Sequence, residues 1–457
     1  MLRETFIASA IAALWAVAMP AFAGVTAEEA AALKSTLTPF GAEKAGNAAG
    51  TIPAWDGGMT KVAAGYKSGA PRPDPFPDEK PVLQISAKNM EQYKDKLSDG
   101  VQELMRKYPD SFRVDVYPSH RTAAAPQWVY DNIFQNATRA RATQNGNSIE
   151  GACGGIPFPI PKNGAEVAWN HLLRWRGESA ESAFRIWVGN ADGSRTMASE
   201  AKDDHQFPYY RKDTCGNDKQ LPAIFYQFRQ IQTNPPFKAG ESILVIDPLD
   251  QIGEGRKAWQ YLAGQRRVRR APTIAFDTPD FVASGQGYFD EVFMFWGSLE
   301  RYDWKLLGKK EIYVPYNNNR FGLAKTEELF AGNGHHLNPD KLRWELHRVW
   351  VVEADLAAGK RHAVNKRVYY FDEDTWANLL QDGYDASGKL WRTLYSIPYV
   401  APDIPGFVTQ TWSTHNLQAG TWMVNNVYND LPNQYKVVAP RPDTYFSPDA
   451  LAGSGVR

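Results

Sequence analysis

The segment RKAWQYLAGQRRVRRAPTIAFDTP, residues 256–279, decides the reading of the fold. Side chains in a strand alternate between faces, so Trp259 and Tyr261 fall on one side and Gln260 and Leu262 on the other. Beyond Ala263 and Gly264 the alternation resumes, with Arg266, Val268 and Arg270 on one face and Arg267, Arg269 and Ala271 on the other. Two such runs around a small-residue turn predict a β-hairpin whose aromatic surface is edged by guanidiniums.

The same grammar recurs on either side. Strands are expected at residues 183–189, 223–232, 242–246, 302–314, 342–355, 361–372, 389–399, 407–414 and 421–428, with turns at Asn190-Ala191-Asp192-Gly193 and Asp385-Ala386-Ser387-Gly388. Residues 290–297 read equally as strand or helix. Helical signals come mostly earlier: Thr26 and Glu29 have capping-box spacing, apolar residues recur at helical spacing from Met90 to Met105, Pro126 opens another helix, and Asn163 and Glu166 repeat the capping box. Between them, residues 51–81 are rich in Gly and Pro, and Pro71, Pro73, Pro75 and Pro77 force an extended path. Helices followed by many antiparallel strands predict an α+β fold, a half-barrel wrapped on helices. The expected divisions are a signal peptide at 1–23, an N-terminal helical and extended segment at 24–150, the half-barrel at 151–439 and an extended or loosely attached tail at 440–457.

Arg3, the apolar run 6–19 and Ala21-Phe22-Ala23 predict export with cleavage before Gly24. No cysteine stands directly after that cut to carry a lipid anchor and no later run is long and apolar enough for a membrane helix, so the expected compartment is the periplasm, free or at the periphery of the outer membrane. Lys+Arg and Asp+Glu are both 51, which gives no global charge for binding nucleic acid. The outlier is 15 Trp, 21 Tyr and 22 Phe, a supply of rings suited to a pleated surface. In an oxidising compartment Cys153 and Cys215 are expected to form a disulfide, the alternative being two buried thiols.

Chemical motifs are sparse. Gly253-Glu254-Gly255 imitates a dinucleotide fingerprint but leads into the Trp259 strand instead of a helix. His335, His336 and His347 lack zinc-ligand spacing, no G-x-S-x-G is present, and Asp203-Asp204 and Asp372/Asp374 sit in turn-like contexts where carboxylates cap amides. No catalytic residue, cofactor or metal is expected. The arginine row either blunts a sheet edge, pairing with acids such as Asp290, Glu291 or Glu300, or meets an anionic partner.

The pattern W-x-Y-x-A-G-x-R-R-V-R-R-x-P resembles the strand pair of periplasmic lipoprotein carriers with the LolA/LolB-like half-open barrel. The whole mature chain resembles the DUF1329 family of Gram-negative envelope proteins, through Gly50-Thr51-Ile52-Pro53-Ala54-Trp55-Asp56-Gly57-Gly58, the run YDWKLLGKKE at 302–311 and RVYYFDEDTW at 367–376. The resemblance implies a non-enzymatic carrier for a lipid-like or hydrophobic molecule, with Trp259, Tyr261, Trp296, Trp304 and Trp350 as candidate lining and Arg267 and Arg269 as a polar rim. It further implies an export role beside a DUF1302-type outer-membrane protein and an RND exporter. A hydrolase acting on an envelope lipid or ester, and a structural assembly partner, are the alternatives. The chain is about twice the usual size of the lipoprotein carriers by domain-length priors, so their specific activity does not transfer.

Overall fold

The computed structural model describes residues 24–215 and 221–454; the expected signal segment lies outside the described residues. A mostly antiparallel 16-stranded sheet dominates it. The first long strand, Ser179–Gly189, pairs with the last, Thr421–Val427, so the sheet grows outward in two directions from a seam between distant parts of the chain. One arm runs through successive hairpins to the 257–262 and 267–270 pair, in which Trp259 faces Arg270 and Tyr261 faces Val268. The other arm ends at Tyr302–Pro315, paired along its length with Trp344–Leu356. Two short strands of the N-terminal segment, Leu83–Ile85 and Val114–Val116, join at Trp344. Among the described residues the two margins do not pair with each other. Both margins are charged, by exposed Arg267, Arg269 and Arg270 on one and by Lys305 and Lys310 on the other, which discourages edge-to-edge pairing. The acids expected to face the arginine row are engaged elsewhere: Asp290 takes both terminal nitrogens of Arg367 (2.7 and 3.0 Å) and Glu291 is bridged by Arg392 (2.7 Å).

Both faces of the sheet are covered. Along Trp344–Leu356, Val349 and Val351 enter one core while Val352 and Ala354 enter another, as alternation requires. Helix Asp99–Lys107 packs into the first of these cores, started by Ser98, whose hydroxyl accepts from the Val101 amide. That cap splits the helical stretch expected from Met90 onward, leaving a 3₁₀ turn at Met90–Lys96. Gly100 permits the approach: a Cβ there would lie 2.1 Å from Thr393 Oγ1 and 2.2 Å from Asp382 Oδ1.

Helix Gly164–Leu172 fills the second core with Val167, Ala168, Trp169 and Leu172 and is buried around its whole circumference. Its last carbonyls are taken by arginines, Arg174 donating to His171 O and Arg176 to Leu172 O, a favourable end for cations. Beside it lies the connection between the two arms. The ambiguous stretch resolves as a short helical turn, Phe289–Met294, broken at Val292 and Phe293. Phe293 and Met294 accept positive φ (54° and 72°) because their side chains are fully taken up by the core.

The tail differs from expectation. Phe446 and Leu451 pack against Leu244 and Tyr261, and Arg441 and Tyr445 bind Asp204 (2.9 and 2.7 Å). Cys153 and Cys215 form a disulfide across 62 residues. No helix among the described residues is long and apolar enough to cross a membrane.

Candidate functional site

The seven side chains singled out in the sequence do not form one surface. Trp259 and Tyr261 share a face with Leu244 and Ile246, and the tail covers it through Tyr445, Phe446 and Leu451. Trp296 lies in the core of helix Gly164–Leu172, edge-on to Tyr226 and Phe228 (both 5.2 Å), and borders a cavity of only about 30 Å³. Trp304 stacks on Tyr369 (5.4 Å) and Trp350 on Trp376 (6.3 Å), each half-buried at the margin of the same core. Arg267 and Arg269 are exposed, and Arg269 reaches Gln260 Oε1 at 3.1 Å. The apolar face predicted for the sheet is thus present, but the chain's own segments occupy it.

The larger opening lies beneath the Gly/Pro-rich segment. Two pins hold this strap: Met59 N donates to Thr122 O (3.0 Å), and Gln434 N donates to Gly69 O (2.9 Å). At the first pin Gly58 has φ 72°, and a Cβ there would lie 2.0 Å from Ala123 O, so the strap can touch the body only through a glycine. Between the pins, residues 61–65 are exposed, and Pro73 and Pro75 keep the return path extended. Beneath the strap is a cleft of about 370 Å³, walled by Met59, Val62, Tyr66 and Pro73 from the strap and by Val400 and Pro402 from the body. Asn319 fixes that wall, its amide exchanging two hydrogen bonds with the backbone of Val400 (3.0 and 3.1 Å).

Polar groups in the cleft are few and placed. Arg72 is held on both sides by Asp403 (2.7 and 2.8 Å), donates to Gln434 O and Tyr435 O, and lies between the rings of Tyr66 and Tyr399. Its charge is therefore spent on holding the strap. The Tyr66 hydroxyl is buried near the Gly69 backbone, and burial raises its pKa, so it stands as a neutral hydroxyl. Met59 and Lys61 also line a second, more polar space of about 400 Å³, walled by Phe76, His120, Arg121 and Thr122. There His120 stacks on Phe76 (3.8 Å) and meets Glu79 at 2.7 Å.

Under this polar end is a buried charge network. Arg121 grips Asp374 with two bonds (2.8 and 2.7 Å), and Glu345 accepts from the His120 amide (2.7 Å), Asn317 (3.0 Å) and Arg343 (2.6 Å). His347 meets Glu345 at 3.0 Å and stacks on Tyr316 (3.7 Å). His335 and His336, grouped with it in the sequence, pack instead on Tyr108. Asp372 lies beside His347, and burial, reinforced by neighbouring Asp374, pushes its carboxyl up to about 7. Nothing in the 25-residue spacing from His347 to Asp372 announces their meeting; strand register brings it about, because Val349 pairs with Asp372.

Residues 84–452 match the family described as "Protein of unknown function (DUF1329)". An uncharacterized protein of Pseudomonas aeruginosa is 40% identical over 449 residues, covering 98% of each chain. The chain belongs to the DUF1329 family. Among solved structures it is similar to a DUF1329 family protein from Desulfovibrio piger (15% identity, TM-score 0.43, covering 63% of this chain and 96% of that one). It is also similar to a LolA superfamily protein from Nitrosomonas europaea (12% identity, TM-score 0.37, covering 64% and 100%). In this DUF1329 protein the strap precedes the matched region, while the floor of the cleft at Asn319 and Val400 lies within it.

Proposed function

We propose that this protein is a non-enzymatic binding or carrier protein of the periplasm that holds a lipid-like molecule in the strap cleft. The apolar part of the guest lies between Val62 and Pro402, and its polar end points toward Lys61 and His120. The supporting observation is the cleft itself: about 370 Å³, mostly apolar, next to a polar space with which it shares Met59 and Lys61, in the size range of small-molecule sites. Each CH₂ taken from water contributes about 0.8 kcal/mol, so a short acyl segment suffices for binding without a specific polar contact. Tyr66 supplies one donor to orient the guest. The periplasmic assignment rests on the export-type N-terminus and on the Cys153–Cys215 disulfide. An export role beside a DUF1302-type outer-membrane protein and an RND exporter is the setting we propose for it.

Native mass spectrometry of protein taken from its host's periplasm tests this reading. The protein is expected to release a lipid-sized mass on denaturation, and added lipid and ester panels are expected to remain chemically unchanged. Turnover of any of them would favour a hydrolase instead.

A further inference from the structure

One layer below the polar end of the cleft, His347, Asp372 and Asp374 are all buried, and one ligand-capable atom of each lies within 4.8 Å of the others. Hydrogen bonding decides which atoms are available. Glu345, fixed as a carboxylate by Arg343, Asn317 and the His120 amide, stands 3.0 Å from His347 Nε2. The neutral imidazole that binds a metal would therefore donate from Nε2 and keep a lone pair on Nδ1. On the other side, Asp372 Oδ2 accepts from Tyr316 OH (3.0 Å), Thr375 N (3.0 Å) and Thr375 Oγ1 (2.6 Å), all neutral donors. Asp372 Oδ1 is buried with no hydrogen-bonding partner and lies 4.0 Å from His347 Nδ1.

With the Asp372 carboxyl ionised, two acceptors face each other across a gap too wide for a hydrogen bond. Ligand atoms about 2.0–2.2 Å from a tetrahedral ion stand about 3.3–3.6 Å apart, so the 4.0 Å gap needs to close by only a few tenths of an ångström to hold one. Glu345 behind the imidazole is the outer carboxylate that orients a metal-binding histidine. Asp374 adds a second carboxylate, steadied by Arg121.

We infer that His347 Nδ1, Asp372 Oδ1 and Asp374 form a binding site for one divalent transition-metal ion of the zinc type. One imidazole with two carboxylates favours such an ion over magnesium or calcium, whose sites are built from oxygen alone. The site does not depend on the guest in the cleft: the two share Arg121 and His120 as a partition, not as ligands.

The test uses the full mature protein, stripped with a chelator and titrated with Zn²⁺ or Co²⁺. Native mass spectrometry is expected to show one bound ion at stoichiometric metal, and Co²⁺ is expected to give a visible absorption band. Asp372→Asn keeps the side-chain volume and removes the charge, so it is expected to fold and to bind at least tenfold more weakly; His335→Ala is expected to bind like the wild type. A folded wild-type protein that takes up no ion at micromolar Zn²⁺ overturns the inference whatever the variants do. So does a folded Asp372→Asn protein that binds as tightly as the wild type.

Discussion

Helix Gly164–Leu172 and the 271–301 connection fill their face of the sheet down to a void of about 30 Å³, whereas the strap spans a cleft of about 370 Å³ and leaves it open. The difference lies in the covering segments. The first pair projects Trp169, Phe289, Phe293 and Trp296 into the sheet. The strap offers Ala63, Ala64 and Gly65 at its crest and prolines on its return, side chains too small or too constrained to reach the floor. A sheet rich in rings does not by itself make a binding surface; the volume of what lies over it decides.

The filled side is where substitutions should cost most stability. Trp169 is fully buried and donates to Gly146 O at 2.8 Å, so Trp169→Ala is expected to lose about 3–5 kcal/mol in urea unfolding through the cavity and the orphaned carbonyl. Guest retained per folded molecule should not change. Equal loss of guest and stability would erase the distinction between the two regions.

The disulfide anchors the same side, since Cys153 N donates to Asn136 Oδ1 (3.2 Å) on helix Gln127–Arg139. Replacing both cysteines by serine is expected to cost about 4 kcal/mol in the chain-entropy picture, read as a lower urea midpoint that reductant no longer shifts.

Charge burial gives a third contrast. Asp382 is buried beneath the start of helix Asp99–Lys107, accepts from Thr393 Oγ1 (2.9 Å), and is pushed up to about 7 by burial. An acid whose folded pKa is raised holds its proton in the native state while the unfolded chain has lost it. Stability is therefore full below the unfolded value near 4, falls as pH rises toward 7, and then levels, for a total of about 2–4 kcal/mol. Asp382→Asn is expected to flatten that slope, raising the urea midpoint at pH 8 and leaving it nearly unchanged at pH 4. Asp372, the other buried carboxyl pushed up to about 7, keeps its own share of the slope, so a slope wholly undiminished by the substitution is what would place the titration elsewhere.

Much of this molecule is legible in its sequence. The 257–270 hairpin, the Thr26 and Asn163 caps and the Cys153–Cys215 pair follow from local alternation, capping chemistry and compartment, and each stands in the structure. What covers a face is not local. Trp259 and Tyr261 share a side as alternation demands, yet Phe446 and Leu451, nearly two hundred residues on, decide that this side is closed. The cleft was visible only as a run of glycines and prolines, because its floor comes from Asn319 and Val400. His347 and Asp372 are each conspicuous in the sequence but not as neighbours, because their meeting depends on pairing register, which spacing does not encode.

The smallest structural change bears on the central claim. Ala64 is exposed and lines the cleft, so Ala64→Trp should fill it with a stability change within about 0.5 kcal/mol. Native mass spectrometry of wild-type and Ala64→Trp protein, each taken from the host's periplasm, compares their cargo directly. A lipid-sized mass on the wild type and none on the folded variant is the predicted result. Equal cargo on both, or none on the wild type, would contradict a guest beneath the strap.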